Sequence, residues 1–403
     1  MKRLLLIGAG FMGLRYLDAA TDLGLRVSVV ESESWAGSLS EGSEVYRIGD
    51  LDEAGWAIDE IWAVGGYAAA ADGGADGVLA FSEPHVLSAA IVADRLGLPG
   101  PSLHASVLSR NKALQRACFA AAGLPQPKFE VVSNHDRALE WAAPHLPVVV
   151  KPFSRFGSNG VELVSDLDTL RAVLERRRSE QLLVEQAVEG PEYSWEGFIA
   201  DGRVLFGNVT AKETTGPPFF VELSHRAGHR FDDPGTDSEV RTLAADVVRS
   251  AGIRTGLVHL EFRMTAQGPS IMEVAVRTPG DFIFELIATT YRFNPYLAAV
   301  QLAMGIDPTL PATDAPRSFP AAWFPVCQPG TVAEISGLKE VFAHPMVSQA
   351  GVTVHIGDVV KPVRSSAQRA GYVLIDAPSP QERDQTVKTV QELLRITTEP
   401  VDV

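Results

Sequence analysis

The sequence predicts an α/β fold in its first part and an α+β arrangement in the remainder. Three observations point there. Short apolar strands alternate with helices at the start of the chain. Strands in adjacent pairs, one pair forming a hairpin, follow from Asn111 onward. The length of 403 residues exceeds one compact domain, which implies about two to four folding units.

Taken in order, Leu4–Ile7 is an apolar strand, Phe11–Leu23 suits a helix, and Val27–Val30 is a second strand. Ile61–Val64 and Gly77–Ala80 read as further strands, and Pro84–Leu96 as a helix. Alternation of this kind builds a parallel, doubly wound sheet. Leu98-Pro99-Gly100-Pro101-Ser102 interrupts the pattern and marks a boundary. Asn111–Ala122 reads as a helix ended by Gly123, Pro125 and Pro127. Strands follow at Pro147–Pro152, Gln181–Ala187 and Tyr193–Ile199. Val258–Met264 and Ile271–Val276 pair as a hairpin. From Asp307 a small α+β unit contains short strands at Ala321–Val326, Val352–Ile356 and Gly371–Ile375, with a terminal helix at Gln381–Leu394.

Composition removes several function classes. A net charge of -15 and a pI near 5.1 leave no basic surplus for a nucleic-acid backbone. Local Lys and Arg can still hold an anionic substrate. The only cysteines, Cys118 and Cys327, are far apart and have no metal-ligand spacing, which fits a reducing cytoplasm. A buried first strand explains MKRLLLIGAGFMG better than a secretory segment does. No apolar run reaches the ~18 residues of a membrane span.

The first phosphate-handling signal is Gly8-Ala9-Gly10-Phe11-Met12-Gly13 after a strand, with Glu31 closing the next strand. That matches a dinucleotide fingerprint, in which glycines admit a pyrophosphate and the acid binds a ribose. The rest of the chain favours the plainer account, a tight turn in a Rossmann-like domain that binds no dinucleotide.

A second signal begins at Lys151, which ends a run of three valines. A lysine at the end of a buried strand is costly unless its ammonium meets an anion. Phe156-Gly157-Ser158-Asn159-Gly160-Val161 follows, a small-residue loop whose amides can fold over phosphates. It is not a P-loop, since no Gly-Lys-Ser/Thr follows. A hairpin turn beside a snorkelling lysine is the alternative. Next, Val184-Glu185-Gln186-Ala187-Val188 ends an apolar strand in polar residues, which suits an adenine slot, and Glu192 can reach ribose hydroxyls.

Two alternating strands carry the metal signal. Glu261 shares a face with His259 and Arg263, and Glu273 shares one with Ala275 and Arg277. A turn at Gln267-Gly268-Pro269 lets the hairpin bring Glu261 opposite or nearly opposite Glu273. Two facing carboxylates with no lysine evident between them repel unless a cation joins them. Oxygen ligands suit Mg²⁺, which also bridges ATP phosphates. A solvated sheet face with scattered charges is the alternative. Arg277, two strand steps beyond Glu273, offers a planar donor for a transferring phosphoryl group.

In this order and spacing, Asn111-Lys112, Lys151-Pro152, Glu185–Ser194, Glu261 and Glu273–Arg277 resemble the ATP-grasp superfamily over residues 105–305. The segments Thr210–His225 and Arg277–Asp281 look most like the L-amino-acid ligases and related carboxylate–amine ligases. The resemblance implies a Rossmann-like pre-ATP-grasp domain at 1–104 and a two-lobed ATP-grasp domain at 105–305, with lobes at about 105–180 and 181–305. A small C-terminal domain at 306–403 completes it. It further implies Lys112 and Lys151 on ATP phosphates beneath a loop of Gly157, Ser158 and Gly160. Glu185, Gln186 and Val188 would lie at the adenine, and Glu192 at the ribose. Glu261 and Glu273 would ligate Mg²⁺, with Mn²⁺ able to substitute, Arg277 would hold the acyl phosphate, and Glu222 and His225 would lie near the substrate. Ala275 departs from the asparagine of many relatives, which leaves the metal to two glutamates, phosphates and water. Asn111 replaces the aspartate that often precedes the first lysine.

The implied activity is that of an ADP-forming ligase: a carboxylate, expected to be an amino acid's, becomes an acyl phosphate and is joined to an amine. The partners are small molecules, and homodimerisation stays open. A nicotinamide-dependent oxidoreductase built on the first glycine turn, and a non-catalytic nucleotide-binding module, are the rival readings. Biotin-dependent carboxylation has no biotin-attachment site here to support it.

Overall fold

The computed structural model describes residues 1–10, 13–37, 39, 44–48, 58–155 and 157–400. Phe11, Met12 and Phe156 of the glycine motifs lie outside the described residues. The first sheet is all parallel. It contains β1 (Arg3–Ile7), β2 (Arg26–Ser32), β3 (Glu44–Ile48) and β4 (Gly77–Ala80), ordered β3-β2-β1-β4. Every residue of β1 is buried, as a strand covered on both faces requires.

Ile61–Val64, expected as a strand, lies inside the helix Ile58–Gly73. A four-residue apolar run has no period that separates strand from helix. Packing decides it. A Cβ on Gly65 would stand 2.7 Å from Val30, and one on Gly66 2.8 Å from Val92, so the glycines let this helix lie close against its neighbours.

The second sheet contains β5 (Phe129–Val131), β6 (Val148–Pro152), β7 (Glu162–Val164) and β8 (Leu182–Gln186), ordered β5-β8-β6-β7. Helices His135–Ala142 and Leu167–Arg176 cover it with Leu139, Leu170 and Leu174. Residues 181–186 were expected in the second lobe; β8 is hydrogen-bonded between β5 and β6, in one sheet with the residues expected in the first.

The third sheet begins with β9 (Glu192–Ala200), β10 (Arg203–Thr214), β11 (Glu222–Ala227), β12 (Gly256–Thr265) and β13 (Gly268–Ala275). The C-terminal residues add β14 (Ala321–Trp323), β15 (Gly330–Ser336), β16 (Val347–Val352), β17 (Val359–Val360), β18 (Gly371–Ile375) and β19 (Arg395–Glu399). Of these, β14, β18 and β16 extend the third sheet, giving the order β13-β12-β9-β10-β11-β14-β18-β16. The C-terminal part therefore shares a sheet with the middle of the chain. The strand expected at Val352–Ile356 instead ends at Val352.

Alternation along β9 divides its two faces. Trp195 and Ile199 pack with Val240, Ala244 and Val247 of helix Pro234–Ser250. On the other face Glu192, Ser194 and Glu196 give way to Phe198, which stacks 5.8 Å from Phe284 of helix Ile283–Tyr291. The same cluster reaches Leu4, Leu6 and Tyr16, so one core docks the first sheet against the third. No helix among the described residues is long and apolar enough to cross a membrane. Phe198→Ala, which removes the ring at this junction, is expected to destabilise the fold by about 3–5 kcal/mol. A lowered urea midpoint checks it.

Candidate active site

The glycine turn after β1 is already filled. The Glu31 carboxylate accepts the backbone N–H groups of Ala9 at 2.8 Å and Gly10 at 3.0 Å. The His85 ring occupies the space beside Gly8, where a Cβ would meet Nδ1 at 2.0 Å. The anion that these amides bind is thus the protein's own side chain, and the carboxylate expected on a ribose is committed to the turn. That removes the anion site on which the dinucleotide reading rested.

The cleft lies between the second and third sheets. Lys112 opens helix Lys112–Ala121, whose first turn is capped by the Asn111 side chain accepting from Ala113 and Leu114. Its Nζ donates to Glu273 at 2.8 Å and to the Arg155 carbonyl at 2.6 Å. Lys151, on β6, is buried with its Nζ 2.7 Å from Glu185 of the adjacent β8. Arg116 holds the other Glu185 oxygen at 2.5 Å and the Met272 carbonyl at 2.7 Å. Burial pulls the Lys151 pKa down to about 8, with Glu185 opposing the shift and Arg116 adding to it. The Glu185 carboxylate, expected at the adenine, is paired with Lys151 and Arg116. Gln186 and Val188 line the cleft beyond it.

The small-residue loop takes positive φ at Gly157, Ser158 and Gly160. Gly157 and Ser158 line the cleft. Ser158 Oγ donates to the Phe220 carbonyl at 3.2 Å, which ties the loop to the opposite side. The Gly160 carbonyl instead accepts from Arg177 at 2.8 Å.

One face of the third sheet forms the other wall. Its register puts Lys212 beside Glu192 and His225, Arg263 beside Glu192, and Glu261 beside both Ser194 and Glu273. The hairpin thus pairs the two candidate metal carboxylates as expected. The expectation that no lysine lies near them is corrected: Lys212 Nζ is 2.6 Å from Glu261, and Lys112 holds Glu273. Lys212 also stands 3.3 Å from Glu192 and 3.4 Å from Glu222. Burial opposes its charge, yet these three carboxylates together raise its pKa well above the ordinary value. Burial would likewise raise Glu261, but Lys212 and His259 hold it well below the usual carboxylate range. Glu192 is further gripped by Arg263 at 3.0 Å.

Beneath this row, buried Glu196 accepts from Ser194, Asn208, Thr210 and His259. Neither Lys212 nor Glu196 was assigned a role from the sequence. The available signal was strand periodicity, because Glu192-Ser194-Glu196 and Asn208-Thr210-Lys212 repeat polar residues at period two.

Glu222 accepts from Ser366 at 2.5 Å. His225 is buried, with Nε2 3.4 Å from Asp281 and no partner on Nδ1 among the described residues. Asp281 is also held by both terminal nitrogens of Arg369. Burial alone would raise the Asp281 pKa. The hydrogen bonds from His225 and Arg369 instead carry it far below the ordinary range. Arg277 lines the cleft and donates through Nε to Glu83 at 2.5 Å.

Among the described residues, no three His, Cys, Asp or Glu side chains form a ready metal cage. The donor set still fits a hard divalent cation. Glu261 and Glu273 face each other, each uses Oε1 toward its lysine, and Oε2 of each has no hydrogen bond among the described residues. Ligand oxygens would complete the shell.

Residues 144–284 match the ATP-grasp domain family, and residues 322–399 match L-amino acid ligase C-terminal domain 2. The chain belongs to the ATP-grasp ligases. This ATP-grasp chain is 30% identical over 331 residues to the uncharacterized protein y4rH of Sinorhizobium fredii, covering 78% of this chain and 67% of that one. It is 28% identical to carnosine synthase 1 of Gallus gallus over 87% of its own length but spans only 41% of that relative. The fold matches the crystal structure of L-amino acid ligase from Bacillus licheniformis, with a TM-score of 0.81, 22% identity and 99% of both chains covered. ATP is the nucleotide that ATP-grasp enzymes use.

Lys151 is charged below pH 8 and loses its proton above it, so its attraction for an anion fades as pH rises through that value. ATP binding, followed by calorimetry, is expected to weaken above pH 8. Near that pH it should also take up a proton, seen as a buffer-dependent heat.

Proposed function

We propose that this ATP-grasp chain is an ADP-forming carboxylate–amine ligase that makes an amide or dipeptide bond, with an amino acid as the activated acid. One observation carries the reading: Lys112, Lys151 and Arg277 meet the paired carboxylates Glu261 and Glu273 in one cleft between two sheets. A triphosphate needs the cations, a divalent metal needs the carboxylates, and phosphoryl transfer needs both together.

In this reading the adenine lies against Gln186, Val188 and the backbone at Glu185, and its ribose lies at Glu192. Lys112 and Lys151 take the phosphates beneath Gly157 and Ser158, with Gly160 acting as the loop's hinge. Glu261 and Glu273 would hold Mg²⁺, for which Mn²⁺ is expected to substitute. When bound, the cation neutralises charge on the phosphates. A substrate carboxylate oxygen attacks the γ-phosphorus, the bond to the β-phosphate oxygen breaks, and ADP leaves. The amine nitrogen then attacks the acyl carbon, phosphate leaves with the bonding pair, and the nitrogen gives up a proton. Arg277 stabilises the charge that develops on the acyl phosphate oxygens. Glu222 attracts the amine, and His225, whose Nδ1 has no partner among the described residues, accepts the proton. The cleft must exclude water, or the acyl phosphate hydrolyses. A reducing cytoplasm belongs to this reading, with Cys118 and Cys327 as free thiols.

Phosphate release from ATP, assayed with Mg²⁺ and a panel of single and paired amino acids, tests the proposal. Release should require a particular pair and the metal, and should disappear in Lys151→Ala. If no pair elicits release while the protein binds NAD(H), the reading is wrong. Glu261→Gln and Glu273→Gln are expected to raise the Mg²⁺ concentration needed for half-maximal rate by at least ~10-fold. An unchanged metal requirement would exclude both carboxylates from the metal site.

A further inference from the structure

Arg277 reaches the cleft from the third sheet, but what holds it comes from the first. Glu83 lies in the one-turn segment Glu83–His85 just after β4, and its Oε2 accepts the Nε–H of Arg277 at 2.5 Å. The Arg277 Nη1 donates to the Thr278 carbonyl at 2.8 Å. Nη2 has no hydrogen bond among the described residues. The guanidinium is therefore held at two of its three nitrogens, Nε and Nη1, and Nη2 is left for a ligand. Glu83 is itself braced, because Arg110 Nη1 donates to the Glu83 carbonyl at 2.7 Å and its Nε lies 3.7 Å from Oε1. Both partners of the Glu83–Arg277 pair are largely shielded, with side chains 11% and 16% exposed, so solvent screens this pair less than a surface one.

An arginine side chain has many rotamers, and a charge on it helps a transition state only if its geometry is set beforehand. We propose that Glu83 is a positioning residue for the reaction: it fixes the plane of Arg277 so that Nη2 meets the acyl phosphate. This inference rests on the ligase reading above. It gives the first domain, whose glycine-turn amides at Ala9 and Gly10 are taken by Glu31, a defined part in the chemistry. The sequence carries no trace of the pairing, since the two residues are 194 positions apart.

A loosened Arg277 should slow amide formation and leave the acyl phosphate open to water, which returns the free carboxylate and phosphate. The test uses the full chain and the amino-acid pair that supports phosphate release. It compares Glu83→Ala, Glu83→Gln and Glu83→Asp for kcat, for KM of ATP, and for phosphate released per amide formed. Glu83→Ala is expected to lower kcat by about 100-fold, the cost of misplacing a catalytic group by about an ångström. KM for ATP should stay within about twofold, because the nucleotide contacts are elsewhere. Phosphate per amide should rise well above one. Glu83→Gln, which keeps an acceptor for the Nε–H, should recover part of the rate and coupling. A role confined to joining the domains would lower the melting temperature while each folded molecule kept its coupling, and that result overturns the proposal. So does a Glu83→Ala enzyme with wild-type kcat and coupling. If the wild-type chain makes no amide with any pair, the ligase reading itself fails, and this inference falls with it.

Discussion

The Lys212 side chain is almost wholly buried on β10, and β9, β11 and β12 each bring a carboxylate to it through Glu192, Glu222 and Glu261. Without that ammonium, three acids would face one another in a cleft partly shut off from water, an arrangement that desolvation makes expensive. With it, each carboxylate has a fixed direction before any ligand arrives. The same logic recurs around the site. Lys151 and Arg116 share Glu185, Lys112 holds Glu273, His259 bridges Glu196 and Glu261, and Arg369 holds Asp281. Groups oriented in advance need little rearrangement when charge develops, and electrostatic catalysis depends on that.

Such pairing also reconciles the composition with the chemistry. A chain of net charge -15 is a poor general host for a triphosphate. The cleft departs from the global sign by setting Lys112, Lys151, Arg155, Arg263 and Arg277 against its glutamates at short range, so its lining is balanced rather than strongly acidic. Their partner carboxylates keep these cations from repelling one another. Ligand phosphates would then compete for lysines already held in place.

The three sheets divide this work. The second sheet presents Lys151 on a buried strand and hangs the glycine loop beside it. The third presents a polar face whose far end turns apolar and disappears beneath helix Ile283–Tyr291. At the glycine turn of the first sheet, Glu31 accepts the Ala9 and Gly10 amides from within. That sheet reaches the cleft indirectly, through Glu83 after β4, which holds the cleft residue Arg277. Of the C-terminal strands, β14, β18 and β16 continue the third sheet, and from that part of the chain Ser366 and Arg369 reach Glu222 and Asp281.

Local physics made much of this legible in the sequence. Period-two alternation placed Glu261 and Glu273 on strands, and the turn between them was enough to make them face each other. The valines ahead of Lys151 announced a charge that had to be answered, and the helix read from Asn111 begins at Lys112. What answered each charge could not be read there. The partners are distant in sequence: Glu185 and Arg116 for Lys151, Lys212 for Glu261, Glu83 for Arg277. The glycine turn was equally ambiguous, since the same residues admit a pyrophosphate or a protein carboxylate, and only the approach of Glu31 decided which. Residues 61–64 failed for a related reason, as a short apolar run becomes helix or strand according to what it packs against. The sequence by itself determined which residues carry charge, which segments bury it and where the phosphate-handling chemistry gathers, because those follow from local periodicity and residue type. Only the tertiary structure decided which charge compensates which, because that depends on strand order and domain docking, which bring together groups with no local relation.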